Sequence, residues 1–231
     1  MKSAYSFRDV ECVGYVNINR IQQCKKRLHS IETLFGDRRA EVLVLLQDAA
    51  PAQKFGRLRK RGIWQFPQDV FRHDEKVWTN RRLVQLFEDA GFKNVRIDGS
   101  TARNCGLFGA NAVWLLKGSG RSMSGRLPNL KRVIKASEPV FEETVDGLPN
   151  LKLIICFGRI AHFGVQQWTE LKGDWVKDRK SGVVRTVNYR GRTIGVASTW
   201  HPAARVRWKK GKSDKNTIFR PKWRRYLDQT R

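Results

Sequence analysis

The chain has 231 residues, enough to bury a core as one large α/β domain or two small ones. Hydrophobic residues make up 40% of it and no low-complexity tract dominates, so disorder is not the default; the longest apolar stretches, such as VLVLL at 42–46, are far too short for a membrane span. Lys and Arg number 46 against 21 Asp and Glu, a formal charge of +25, and without a basic amphipathic helix suited to insertion this field points to nucleic acid as the partner.

The opening MKSAYSFRDVECVG carries no apolar signal region, so an intracellular protein is expected, cytoplasmic or nucleoid-associated. Cys12, Cys24, Cys105 and Cys156 lie far apart and are expected to be reduced thiols. Across 17–35, Val16, Ile18, Ile21, Leu28, Ile31 and Leu34 recur at helical spacing, with Gly36 as a stop. EVLVLLQ at 41–47 is a nearly continuous apolar run, the pattern of a parallel strand buried on both faces. A long basic loop follows as far as Trp78. Thr79 or Asn80 then caps a helix that turns Leu83, Leu86, Phe87 and Ala90 inward and stops at Gly91.

NVRID at 94–98 reads as a short strand and ANAVWLL at 110–116 as a stronger one. Residues 130–146 are helical with a break around Ser137 and Pro139. LKLIICFG at 151–158 is a buried strand running straight into a helix that carries Ile160, Ala161, Phe163 and Val165. The stretch 183–198 reads as a hairpin turning at Arg190–Gly191, and a basic tail begins at about 206. LPNLK occurs at 127–131 and 148–152, too short a unit to make a repeat fold. Strands alternating with helices predict a single-domain α/β fold, its mainly parallel sheet covered by helices on both faces.

Ligands of such sheets bind beyond the carboxyl ends of the strands. Basic residues follow several of those ends: Lys54, Arg57, Arg59, Lys60 and Arg61 after the first strand, Lys117, Arg121 and Arg126 after the Asn111 strand, and Arg205, Arg207, Lys209 and Lys210 after the last. Such clustering predicts a groove that tracks phosphates, although 172–192 is basic as well. Three further stations share the edge: Gln47-Asp48-Ala49-Ala50-Pro51-Ala52, Asn111, and Trp200-His201-Pro202-Ala203-Ala204-Arg205. An amide reads a base edge, an imidazole donates to an oxygen as negative charge develops, and a carboxylate orients water.

In order and spacing these stations resemble the uracil-DNA glycosylase superfamily. DAAPA at 48–52 is similar to the GEAPG or GLAPA loop of its thermophile-type branches, Ala110-Asn111-Ala112-Val113 to their TN-x-V segment, LKLIICFGRIAHFGV at 151–165 to their strand-to-helix unit, and WHPAAR at 200–205 to their HP-x-x-x-R/S motif. The likeness covers roughly residues 40–210. It implies that Asn111 reads a flipped base and His201 stabilises the departing base anion. It further implies that Phe66 stacks on the base, that backbone around Gln47–Ala49 completes the pocket, and that Arg205 enters the duplex. It departs from the family where Asp48 replaces the loop's first glycine and where alanine stands at the usual polar position near the proline. Asp48 is therefore one candidate for activating water, with Asp69 and Asp74 as competitors. The cysteine spacing does not fit the iron–sulfur cluster of the thermophile-type branches, and no cofactor or metal is expected.

Each residue also has a plainer role. His201 before a proline can close a strand as a turn, Asn111 can satisfy backbone, and Asp48 can cap a turn. His29 and His162 fall on predicted helices and read as structural, His73 as a loop residue, and Trp114 and Phe157 as core. Trp208 and Trp223 either pack on DNA sugars or anchor the tail. The expectation is a monomeric DNA glycosylase acting on double-stranded or single-stranded DNA, excising uracil or another modified pyrimidine in repair or in defence against phage with modified DNA. A DNA-binding protein that keeps the fold without catalysis is the alternative.

Overall fold

The computed structural model describes residues 15–17, 37–48, 78–93, 95, 105–113, 115–117, 130–202 and 220–230. The elements are β1 (Tyr15–Asn17), β2 (Val42–Asp48), α1 (Trp78–Asp89), β3 (Leu107–Val113), β4 (Leu115–Lys117), α2 (Leu130–Ala136), α3 (Glu138–Asp146), β5 (Leu153–Phe157), α4 (Arg159–Trp168), α5 (Trp175–Ser181), β6 (Val184–Tyr189), β7 (Arg192–Thr199) and α6 (Arg220–Gln229). Five strands form one sheet in the order β3-β2-β5-β7-β6. The first four are parallel and β6 is antiparallel to β7. The fold is α/β with a mainly parallel sheet.

The apolar runs are continuous because helices cover both faces. Leu43, Leu45, Phe108, Ala110, Ile154 and Cys156 pack on one side with α2, α3 and α4 through Ile134, Phe141, Ile160 and Val165. Val42, Val44, Leu46, Leu107, Ile155 and Phe157 pack on the other with Leu83, Leu86 and Phe87 of α1 and with Trp223 and Leu227 of α6. Neighbours along a strand thus enter different cores, and neither face can be polar. Trp223 is 1% exposed and lies with Phe87 at 6.4 Å and Phe157 at 6.5 Å between ring centroids. Truncating so buried an aromatic costs about 3–5 kcal/mol. The end of the basic tail is therefore a helix docked on the core.

Several expectations are met closely. The helical stretch after residue 130 breaks at Ser137, and Pro139 falls in the first turn of α3, where a missing N–H costs nothing. Arg190 and Gly191, at φ 51° and 74°, form the turn between β6 and β7. Gly91 ends α1 at φ 83°. Cys105 and Cys156 are buried free thiols, and burial raises the pKa of both.

Other boundaries differ. α1 begins at Trp78, so Thr79 and Asn80 lie inside its first turn. Val16 and Asn17 belong to a strand rather than a helix, since β1 pairs antiparallel with β4. The strand read at 110–116 starts earlier, at Leu107, and ends at Val113, with Leu115–Lys117 forming the separate β4. Gly109 weakens the apolar pattern there, but pairing with Val44 holds it in the ladder. α5 lies in a stretch that shows only basic charge in sequence, and its start is fixed by Asp174 accepting from the Lys177 N–H at 2.8 Å. The helix expected over 17–35 and the strand at 94–98 otherwise lie outside the described residues, as does Trp114.

Candidate functional site

β2 and β5 are adjacent strands: α1, the next described element after β2, packs on one face of the sheet, while α4, directly after β5, packs on the other. In doubly wound sheets the region between two such carboxyl ends is where ligands bind. Gln47 and Gly158 meet in it. A Cβ on Gly158 would lie 2.8 Å from Gln47 Cδ and 3.1 Å from its Cγ, so the amide side chain occupies the room that glycine leaves. Gly158 is at φ 102° and ψ 170°, a region essentially restricted to glycine. Its N–H donates to the Thr199 carbonyl at 2.9 Å, tying the end of β5 to the end of β7.

The register brings the other stations to the same edge. Leu46 pairs with Asn111, and Phe157 pairs with Thr199. One row back, Leu45 pairs with Ala110 and Cys156, and Cys156 with Ser198. Asn111 and Thr199 therefore stand in one row, three strand spacings or roughly 14 Å apart. Asn111 is buried, at 8% exposed, one of few polar side chains in the core. Asp48, the last residue of β2, is in register with Val113.

His201 lies two residues beyond β7 and is half-buried. Desolvation lowers its pKa to about 4, so the imidazole is neutral at physiological pH, with one N–H donor and one acceptor nitrogen. Its neighbours in the chain are held on both sides. Trp200 stacks under the Arg179 guanidinium of α5 at 3.5 Å and meets Trp175 edge-on at 5.7 Å. The Pro202 carbonyl accepts from Arg82 Nη1 of α1 at 2.9 Å. Beneath this turn, Ser198 Oγ and His162 Nδ1 form a 2.7 Å hydrogen bond that joins β7 to α4. Burial lowers the pKa of His162, partly offset by attraction from Asp178 and Asp174.

Of the residues expected in the site, Gln47, Asn111 and His201 thus share one sheet edge, with Asp48 at the end of β2. Phe66, Ala49, Asp69, Asp74, Arg57, Arg59, Lys60, Arg61, Arg205, Arg207, Lys209 and Lys210 lie outside the described residues. His162 is structural, as its place on a helix suggested. Sequence reasoning missed Gly158, Arg82 and the Trp175–Arg179–Trp200 stack. Gly158 ends an apolar strand just before a helix, a usual place for a ligand-edge glycine and the one signal available. The other contacts reach across the fold between separate elements and leave no local pattern.

A scan against models of known protein families finds no match, and no curated protein is significantly similar to the chain.

Proposed function

We propose that the chain is a DNA glycosylase of the uracil-DNA glycosylase type, which extrudes a pyrimidine from DNA and hydrolyses its bond to the sugar. The observation that supports this reading is that Gln47, Asn111 and a neutral imidazole, His201, all stand on or just beyond strands at one carboxyl edge of a parallel sheet.

In this mechanism basic loops hold the backbone while the target base is unstacked, at a cost of a few kcal/mol. Asn111 reads its hydrogen-bonding edge, and backbone around Gln47 completes the pocket. As the glycosidic bond breaks, electrons pass to the base and the sugar takes on oxocarbenium character. A neutral His201 donates to the base oxygen where negative charge collects, and a neutral donor holds that charge without first requiring a proton from solvent. Water then adds at the sugar, oriented by a carboxylate that is Asp48, Asp69 or Asp74, and its proton leaves to that group.

The test is a panel of duplexes carrying uracil, hypoxanthine, or hydroxymethylated or glycosylated pyrimidines, assayed for free base and abasic sites with and without EDTA. Base release unaffected by EDTA is the expected result on at least one pyrimidine. Tight binding without release on every substrate would indicate the non-catalytic DNA-binding protein. Strand cleavage abolished by EDTA would indicate a metal-dependent nuclease.

A further inference from the structure

The basic stretch 172–192 divides in the fold. Most of its arginines are consumed internally, Arg190 and Arg192 at the amino edge of the sheet and Arg185 toward the carboxyl edge. Arg192 donates to the carbonyls of Val145, Leu148, Pro149 and Leu151 at 2.8–3.1 Å. Arg190 lies 3.0 Å from Asp146 and 3.7 Å from Glu142. Arg185 makes two 2.7 Å bonds to the buried Asp178. Arg179 is different. It is half-buried, no carboxylate pairs with it among the described residues, and burial alone lowers its pKa.

Its position is also fixed. The guanidinium carbon lies 3.5 Å over the Trp200 ring and 4.5 Å from the Trp175 ring centroid. Stacking engages the face of the guanidinium and leaves its N–H groups, which lie in the plane, for another partner. Nε, buried against the stack, has no hydrogen-bond partner. Trp200 immediately precedes His201, so this cation stands at the carboxyl edge of the sheet. Two more join it there. Lys180 is exposed on the next residue of α5, and Lys222 of α6 is exposed while donating to the Ser181 carbonyl. A half-buried cation held by two indoles, with no carboxylate partner among the described residues, is costly on its own and suited to an anion that arrives from solution.

We infer that Arg179, with Lys180 and Lys222 beside it, binds a DNA backbone phosphate on the His201 side of the carboxyl edge. The inference rests on DNA being the substrate, and it adds a flank that lies outside the two loop clusters following β2 and β7. The anchored phosphate fixes the strand against the turn that carries His201, so the aromatic stack serves both the grip on DNA and the placing of the imidazole.

The test is binding to an unmodified duplex and to a set in which single phosphates are replaced by neutral methylphosphonates, across a salt series, for the wild-type protein and Arg179→Met. Neutralising one phosphate should weaken wild-type binding about tenfold, an ordinary value for a charge-assisted contact. Arg179→Met should bind about tenfold more weakly, lose its response to that one position, and show a slope of log affinity against log salt reduced by about one. An Arg179→Met profile identical to wild type at every position would overturn the inference while leaving the glycosylase reading intact. A wild-type protein that binds no duplex would overturn both. If Arg179→Met fails to fold, Lys180→Gln with Lys222→Gln, both at exposed positions, should lower the slope by about one to two; an unchanged slope overturns the inference.

Discussion

At the scale of single residues, the chemistry asked of the site is divided between groups that the sequence already singles out and groups that only the fold brings near. His201 is legible because a histidine before proline at a strand end is a compact motif. Its neutrality is not legible, since it comes from desolvation by the surrounding fold. The carboxylate is open among three residues. If Asp48 orients water, Asp48→Asn should slow base release by about a hundredfold or more, the usual worth of a positioned base. DNA affinity should be unchanged or slightly higher, because a charge that repels phosphate is gone. Single-turnover release beside equilibrium binding makes the comparison. Should Asp69→Asn or Asp74→Asn be the crippling change instead, the water-activating group lies further along the loop.

At the scale of elements, the junction of β5 and α4 brings Gly158 against Gln47. Gly158→Ala would force a side chain into a backbone region that L-residues avoid and into Gln47, only 2.8 Å away. We expect a loss of stability of about 1–3 kcal/mol and a fall in base release larger than the fall in DNA affinity, since Gln47 is displaced and phosphate contacts are not. Thermal melting and single-turnover assays check this; a variant as stable and as active as wild type would mean that the close approach of Gln47 to Gly158 matters to neither. Elements such as this one explain what the sequence reveals. β2, β5 and their helices are strongly patterned because both faces are covered, so periodicity alone finds them. β3 hides its start behind Gly109, α5 is too short and too charged to show an apolar stripe, and α6 looks like a tail until Trp223 is seen in the core. The site follows the same division: Gln47, Asn111 and His201 sit on or just beyond patterned strands, whereas Arg82 and Arg179 act through contacts distant in sequence.

At the scale of the whole molecule, two histidines carry depressed pKa values, His201 at about 4 and His162 shifted down by burial. The unfolded chain therefore binds protons first as the solution is acidified. The stability these neutral imidazoles contribute is complete above about 6.5, the ordinary histidine value, and is lost progressively as pH falls through the folded values toward about 4. For His201, whose pKa drops from about 6.5 in the unfolded chain to about 4 in the folded one, that contribution is at most about 3–4 kcal/mol. Denaturant midpoints measured from pH 7 to pH 4 should fall steadily, and His162→Gln should flatten the dependence. A midpoint constant over that range would contradict the burial of both rings. The formal charge of +25 adds its own repulsion, so these measurements belong at fixed, moderate salt.

The central claim is that this edge of the sheet breaks a glycosidic bond with His201 serving the leaving base. Its most direct test is single-turnover base release by the wild-type protein and His201→Ala, on the duplex that the substrate panel identifies, with binding measured in parallel. Wild type should leave abasic sites, and His201→Ala should do so at least about a hundredfold more slowly, the scale of a lost oxyanion donor, while binding DNA almost as tightly. Release by His201→Ala at the wild-type rate would contradict that claim.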